Sequence, residues 1–132
     1  MIVVVAALIQ RDGKLLICQR RADDRLPLKW EFPGGKVAPN ESLQQALVRE
    51  LAEELAVSAC IGHEVHRTTF DYGDDRGLFE LVFFTGEIAR AEPQNLAFEQ
   101  IQWVLPQQLA EFDFLPADRE LIELIAAGKL QL

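Results

Sequence analysis

The sequence predicts a mixed α+β domain. Three features predict it: a β-branched opening run at residues 2–10 that turns back at Asp12-Gly13, an unbroken helix-forming stretch at residues 42–55, and a strongly apolar β run at residues 78–88.

Residues 2–10 are almost continuously apolar, as a strand buried on both faces would be, and Asp-Gly is a hairpin signal that returns the chain into residues 15–18. A polar, proline-containing loop follows at 20–29, then a short strand at 30–32 ending in a Pro33-Gly34-Gly35 turn. Pro39-Asn40-Glu41-Ser42 supplies helix-start signals, and residues 42–55 contain neither Gly nor Pro. Residues 57–70 are β-like, 71–77 read as a turn, and 78–88 as a strand. A last strand at 101–105, a short helix at 106–112 and a terminal helix at 116–127 closed by Gly128 complete the chain.

At 132 residues the chain is about one domain, taken here as 1–132, large enough to bury a core without disulfides or zinc. The net charge is −8, and Lys and Arg form no run longer than Arg20-Arg21, which disfavours a nucleic-acid polymer as partner. A small polyanion is compatible with such a chain when a divalent cation neutralises it. Cys18 and Cys60 have no metal-ligand spacing, which points to a reducing cytoplasm. The run at residues 2–9 has no basic segment before it and is followed by Arg11-Asp12, so it reads as a strand rather than a signal core. No stretch approaches the ~20 apolar residues that span a bilayer, so no membrane is expected as partner.

The chemistry concentrates on the first helix. At ~100° per residue, Glu50, Glu53 and Glu54 share one arc. The bland reading is a solvated acidic face. Against it, Glu54 projects between Leu43 and Leu47 at the margin of the apolar stripe, where a lone carboxylate is penalised, and only Arg49 offers local relief from like charge. A hard divalent cation removes both difficulties, because Mg²⁺ takes oxygen ligands and is shared among carboxylates, water and phosphates. The glycine turn at Gly34-Gly35 would free a carbonyl for the same shell.

These residues resemble the Nudix box: Gly35, Glu41, Arg49, Glu50, Leu51, Glu53, Glu54 and Val57 match over 23 residues, and Ala56 alone departs, standing where the family has Gly. That glycine would end the helix at positive φ, so Ala56 would cost about 1 kcal/mol or shift the cap. Trp30-Glu31-Phe32-Pro33-Gly34-Gly35-Lys36, Arg20-Arg21, Trp103 and residues 114–118 are similar to the MutT branch, which clears unwanted nucleotides. The resemblance implies a Nudix fold, a mixed sheet flanked by helices as an α/β/α sandwich. It implies an Mg²⁺-dependent pyrophosphohydrolase, with Mn²⁺ as the alternative ion, that releases nucleoside monophosphate and diphosphate from a nucleoside triphosphate. The expected protein is a cytoplasmic monomer or homodimer serving nucleotide-pool sanitation.

By the same resemblance the metal ligands are Glu50, Glu54, Glu53 and the Gly34 carbonyl, with Glu53 also a candidate base. Arg49, Glu41 and Gly35 support them from behind, and Glu99 is a weaker catalytic candidate because Ala97 occupies the position of a further family glutamate. Phe32, Phe79 and Leu115 are candidate walls for a base, each equally readable as core. Asp118 would read the base edge, or merely favour a helix dipole. Arg21 and Arg76 are candidates for phosphate or base. An ionised Asp118 would accept from the exocyclic amine of cytosine, whereas a protonated one would suit an oxidised purine such as 8-oxo-dGTP. His63 and His66 lack a helical metal-binding pattern and read as ordinary surface or core residues. Competing readings are a Nudix enzyme for nucleotide sugars, dinucleoside polyphosphates or capped RNA, a non-catalytic nucleotide-binding module, and the solvated acidic helix.

Overall fold

The computed structural model describes residues 1–130 and 132. The opening hairpin pairs β1 (Ile2–Arg11) with β2 (Lys14–Gln19) across Asp12 and Gly13, both at positive φ (52° and 76°), as a tight primed turn requires. Then come β3 (Trp30–Glu31), β4 (Gly34–Lys36), α1 (Leu43–Leu55), β5 (Ala59–Asp71), β6 (Leu78–Ile88) and β7 (Gln100–Val104). Two 3₁₀ turns, Pro106–Glu111 and Pro116–Asp118, lead into α2 (Arg119–Ala126). The sheet runs β3-β2-β1-β6-β5, with β4 also paired to β1 and β7 to β2.

β1 explains why its sequence is apolar throughout. It is central, pairing with β6 in parallel from Ile2↔Phe79 to Ile9↔Gly86, and both of its faces are covered. Val5, Ala7 and Ile9 point toward Ala46, Leu47, Leu51 and Leu55 of α1; Ala6 and Leu8 point to the other side, toward Leu121 and Ile122 of α2. A helix therefore lies on each face, the α/β/α arrangement expected from the family resemblance.

The second edge of β1 is shared. β2 occupies it at Gln10 and Arg11, and β4 occupies it at Val4 to Ala6. Gly34-Gly35 is thus strand rather than the turn expected from the sequence. The reason is space: a Cβ on Gly34 would collide with the Val5 carbonyl, and one on Gly35 with the Glu50 carboxylate. Glycine serves close approach here more than turning.

α1 is capped as its sequence suggests. Ser42 Oγ accepts from the Gln45 N–H at 3.1 Å, and the Gln45 side chain returns a bond to the Ser42 N–H at 2.9 Å, a reciprocal capping box. At the other end Ala56 adopts the left-handed conformation (φ 56°, ψ 39°), and its N–H donates to the Ala52 carbonyl. The cap has not shifted; the alanine takes the strained backbone that glycine would take freely.

The terminal helix expected at 116–127 is divided, because Pro116 and the buried Asp118 favour a 3₁₀ turn before α2 begins at Arg119. It closes with Gly128 at φ 69° and paired bonds from Gly128 to Ile125 and from Lys129 to Leu124, a Schellman motif. The segment expected as helix at 106–112 is the tighter 3₁₀ form. Cys18 is buried and Cys60 exposed, both as free thiols. His66 packs its ring 6.0 Å from that of Phe83, with its Nε2 buried and without a hydrogen-bond partner among the described residues, and His63 stands exposed on β5. Among the described residues no helix is long and apolar enough to cross a membrane.

Ala56→Gly is expected to stabilise the protein by up to about 1 kcal/mol, since relief of the left-handed penalty exceeds the entropy gained by the unfolded chain. The midpoint of urea unfolding reads this directly, and an unchanged or lower midpoint would contradict it.

Candidate active site

Helix α1 is anchored by Leu47, Leu51 and Leu55, which turns Glu50 and Glu54 toward β4. The Gly34 N–H, which faces away from β1 in this register, donates to Glu54 Oε1 at 3.2 Å. Arg49 gathers the remaining acids. Its Nε and Nη2 meet both oxygens of Glu41 at 2.7 and 2.9 Å, its Nη1 meets Glu50 at 3.0 Å and Glu53 at 3.3 Å, and Nη2 also reaches the Lys36 carbonyl at 3.1 Å. Glu41 accepts in addition from the Ala38 N–H at 2.8 Å. The planar fork of arginine is suited to holding several carboxylates in fixed orientation, which a lysine would not do.

The three helix carboxylates are not equivalent. Glu53 is 59% exposed and Glu50 only 17%. Glu54 is the most constrained: burial, then the charges of Glu50 and Glu31, push its carboxyl up to about 9. Burial also raises Glu50, against the opposing effect of Arg49. Among the described residues no cationic side chain pairs with Glu54, in contrast to Glu41, Glu50 and Glu53.

Glu54 opens into a cleft of about 570 Å³. Of the residues singled out from the sequence, the cleft brings together Gly34, Gly35, Glu54, Phe32, Phe79, Leu115, Arg76 and Asp118. Phe32, Phe79 and Leu115 are both core and wall: each is buried, yet each presents a face to the cleft. Asp118 is 4% exposed and none of its side-chain oxygens has a hydrogen bond from the described residues. Burial, reinforced by Glu31, raises its carboxyl well above the usual range.

Two expectations are corrected. The cleft takes Arg20 rather than Arg21; adjacent residues of an extended segment point oppositely, and Arg21 turns away to donate to the Ala97 carbonyl at 3.1 Å. Glu99 is exposed and does not line the cleft, because its backbone is tied to the Gln19 carbonyl at 2.9 Å while Ala97 and Phe98 take the cleft side.

Sequence reasoning missed Glu31, Arg20, Tyr72 and Arg25, which also line the cleft. Arg20 pairs with Glu31 at 3.2 Å, and burial nevertheless raises the Glu31 carboxyl to about 7. The available signal was Glu31 itself, an acid in a short strand between two aromatics: alternation sets it on the face opposite the buried Trp30 and Phe32, where it meets Arg20.

Among the described residues no group of three or more carboxylate, imidazole or thiolate side chains is gathered closely enough to hold a metal ion by itself. The donor set nevertheless fits a hard cation. Glu54 and Glu50 supply oxygen, β4 supplies backbone, and Glu54 is a desolvated carboxylate without a positive partner.

Comparison with known proteins gives the family and the fold. The NUDIX domain model matches residues 1–125. The chain is 40% identical over 130 residues to the CTP pyrophosphohydrolase of Escherichia coli K12, covering 96% of this chain and 93% of that protein. It is 33% identical to the nucleoside triphosphatase NudI of Escherichia fergusonii, covering 92% and 94%. The solution structure of the E. coli ORF135 protein superposes with a TM-score of 0.82 at 37% identity, over 96% of this chain and 89% of that one.

The buried acids set the direction of the pH response. A carboxyl raised in the folded protein keeps a proton that the unfolded chain releases, so stability falls as pH rises above the ordinary carboxylate range. Asp118, Glu54 and Glu31 all act in this sense. Asp118→Asn is therefore expected to flatten, without abolishing, the loss of melting temperature between pH 5 and pH 8 in metal-free buffer. A variant with the full wild-type slope would show that Asp118 is not a buried acid.

Proposed function

The chain belongs to the NUDIX domain family, and we propose that it hydrolyses a nucleoside triphosphate to nucleoside monophosphate and diphosphate with Mg²⁺ as cofactor. The observation that carries this reading is Glu54: a desolvated carboxylate, without a cationic partner, opening into the same cleft as a buried Asp118. An acidic row on a solvated helix would have no reason to bury that carboxylate. A non-catalytic binding module would not need Arg49 to fix three more beside it.

In this reading Glu50 and Glu54, with Glu53 and the Gly34 carbonyl, hold the ion, whose shell is completed by water and phosphate oxygens. When bound, a divalent cation would lower the pKa of water and screen the triphosphate from the acidic protein. The chain's own residues do the rest. Arg49 and Glu41 fix the orientation of Glu50, Gly34 lets β4 lie against the Val5 backbone, and Gly35 leaves room for the Glu50 carboxylate where a side chain would collide with it. Glu53, the most exposed of the three, accepts at its carboxylate oxygen the proton of the water that attacks an inner phosphorus in line.

At the other end, Phe32, Phe79 and Leu115 hold the base by its faces and Asp118 meets its edge. A protonated Asp118 both donates and accepts, which serves an oxidised guanine; ionised, it accepts from the amine of cytosine. The same reading takes residues 1–132 as one catalytic domain. It acts on free nucleotides in the cytoplasm, as a monomer or homodimer.

Glu50→Gln and Glu54→Gln are each expected to lower Mg²⁺-dependent turnover by at least about a hundredfold while the chain stays folded. The assay presents CTP, dCTP, 8-oxo-dGTP and ADP-ribose in parallel and identifies products by chromatography. Turnover retained in both variants would refute the metal assignment, and cleavage of ADP-ribose alone would refute the triphosphate. Mg²⁺ with a nucleotide should also raise the wild-type melting temperature, by ligand linkage.

A further inference from the structure

The turn between β5 and β6 contains a carboxylate that the chemistry above does not use. Asp74 divides its two oxygens between two tasks. Oδ1 accepts the Arg76 backbone N–H at 3.0 Å, which shapes the turn, and Oδ2 accepts from Arg76 Nε at 2.9 Å and Nη2 at 2.6 Å, which fixes the side chain. The guanidinium so held lies 5.3 Å from the ring centroid of Tyr72 and 5.0 Å from that of Phe79. Those two rings meet edge to face at 5.4 Å. Across the mouth of the cleft, Arg25 Nη1 stands 3.7 Å from the same Oδ2. Arg25, Tyr72, Phe79 and Arg76 all line the cleft.

We propose that Asp74 is a positioning residue: its charge clamps Arg76 against the Tyr72–Phe79 wall, so that the remaining guanidinium surface meets the bound nucleoside. This rests on the reading of the cleft as a nucleotide site. The physical reason is pre-organisation. A free arginine samples many rotamers and loses that freedom when a ligand arrives, whereas a clamped one has already lost it. An isolated surface ion pair contributes little to stability, so the effect belongs in binding rather than in folding. The clamp is also insensitive to pH, since the Arg76 hydrogen bonds hold the Asp74 carboxyl down to about 2.

Asp74→Asn separates the two tasks, because one amide oxygen can keep the turn bond while the charge is lost. With the better of CTP and 8-oxo-dGTP as substrate, and Mg²⁺ saturating, Asp74→Asn is expected to raise KM roughly three- to tenfold and leave kcat within about twofold. Asp74→Glu should recover part of the loss, and in an Arg76→Ala background Asp74→Asn should add nothing. A KM equal to wild type, or the same rise with Arg76 absent, would overturn the clamp while wild-type turnover left the proposed function standing. A wild-type chain that hydrolyses neither nucleotide would overturn both.

Discussion

The close approach of α1 to β4 is the contact on which the site depends. The helix packs through Leu47, Leu51 and Leu55, and its carboxylates come close to the strand because Gly35 carries no side chain, while Gly34 lets the strand itself lie close to Val5 of β1. This proximity places the Gly34 N–H on Glu54 and removes Glu54 from water. With a Cβ at Gly35 the Glu50 carboxylate would have to move, and the spacing of the acids along the helix would lose its meaning in space. On the proposed reading, metal chemistry in this protein is a consequence of packing: the core decides how dry the carboxylates are, and dryness decides what they will bind.

The cleft lies where the two faces of the sheet meet. Residues of β1 alternate between the α1 side and the α2 side, and Val4, Val5 and Ala6 together form its floor. β2 and β4 divide the same edge of β1 between them, and Pro33, which lacks an N–H, accepts from Ala7 at its carbonyl as the chain passes from β3 to β4. The Glu54 carboxyl from α1 and the Asp118 carboxyl from the turn before α2 thus reach one cavity although they belong to opposite layers. A strand buried on both sides allows this, because only such a strand has chemistry-bearing elements above and below it.

Much of this was legible in the sequence, and the failures have physical causes. The hairpin at Asp12-Gly13, the helix beginning at Ser42 and the strand at 78–88 follow from local turn chemistry, capping and periodicity. Gly34-Gly35 was misread as a turn because glycine pairs usually bend the chain, and the collision that makes them necessary lies on Val5 and Glu50, far away in sequence. Arg20 was passed over for Arg21 for a similar reason: at the end of a strand, one residue of register decides which side chain faces the cavity. Tyr72 and Arg25 sit in loops, where no periodicity announces direction. The acids on α1 are visible as a group and the helical projection already sets Glu54 at the margin of the apolar stripe, but how far it is removed from water belongs to the tertiary fold.

Of the four acids that line the cleft, Asp24 is half exposed, and the three desolvated ones are relieved differently. Glu31 has Arg20 beside it; Glu54 has only a backbone N–H; Asp118 has no protein partner among the described residues. Desolvation drives the last two toward holding protons when the cleft contains water alone. Two protons can be replaced by two different things, a cation at Glu54 and the hydrogen bonds of a base at Asp118, and a nucleotide carrying a divalent ion brings both at once. Neither half alone would relieve both ends of the cleft. On the proposed reading, the preference of this site for a nucleotide over inorganic polyphosphate arises from that pairing of two buried acids rather than from any single contact with the base.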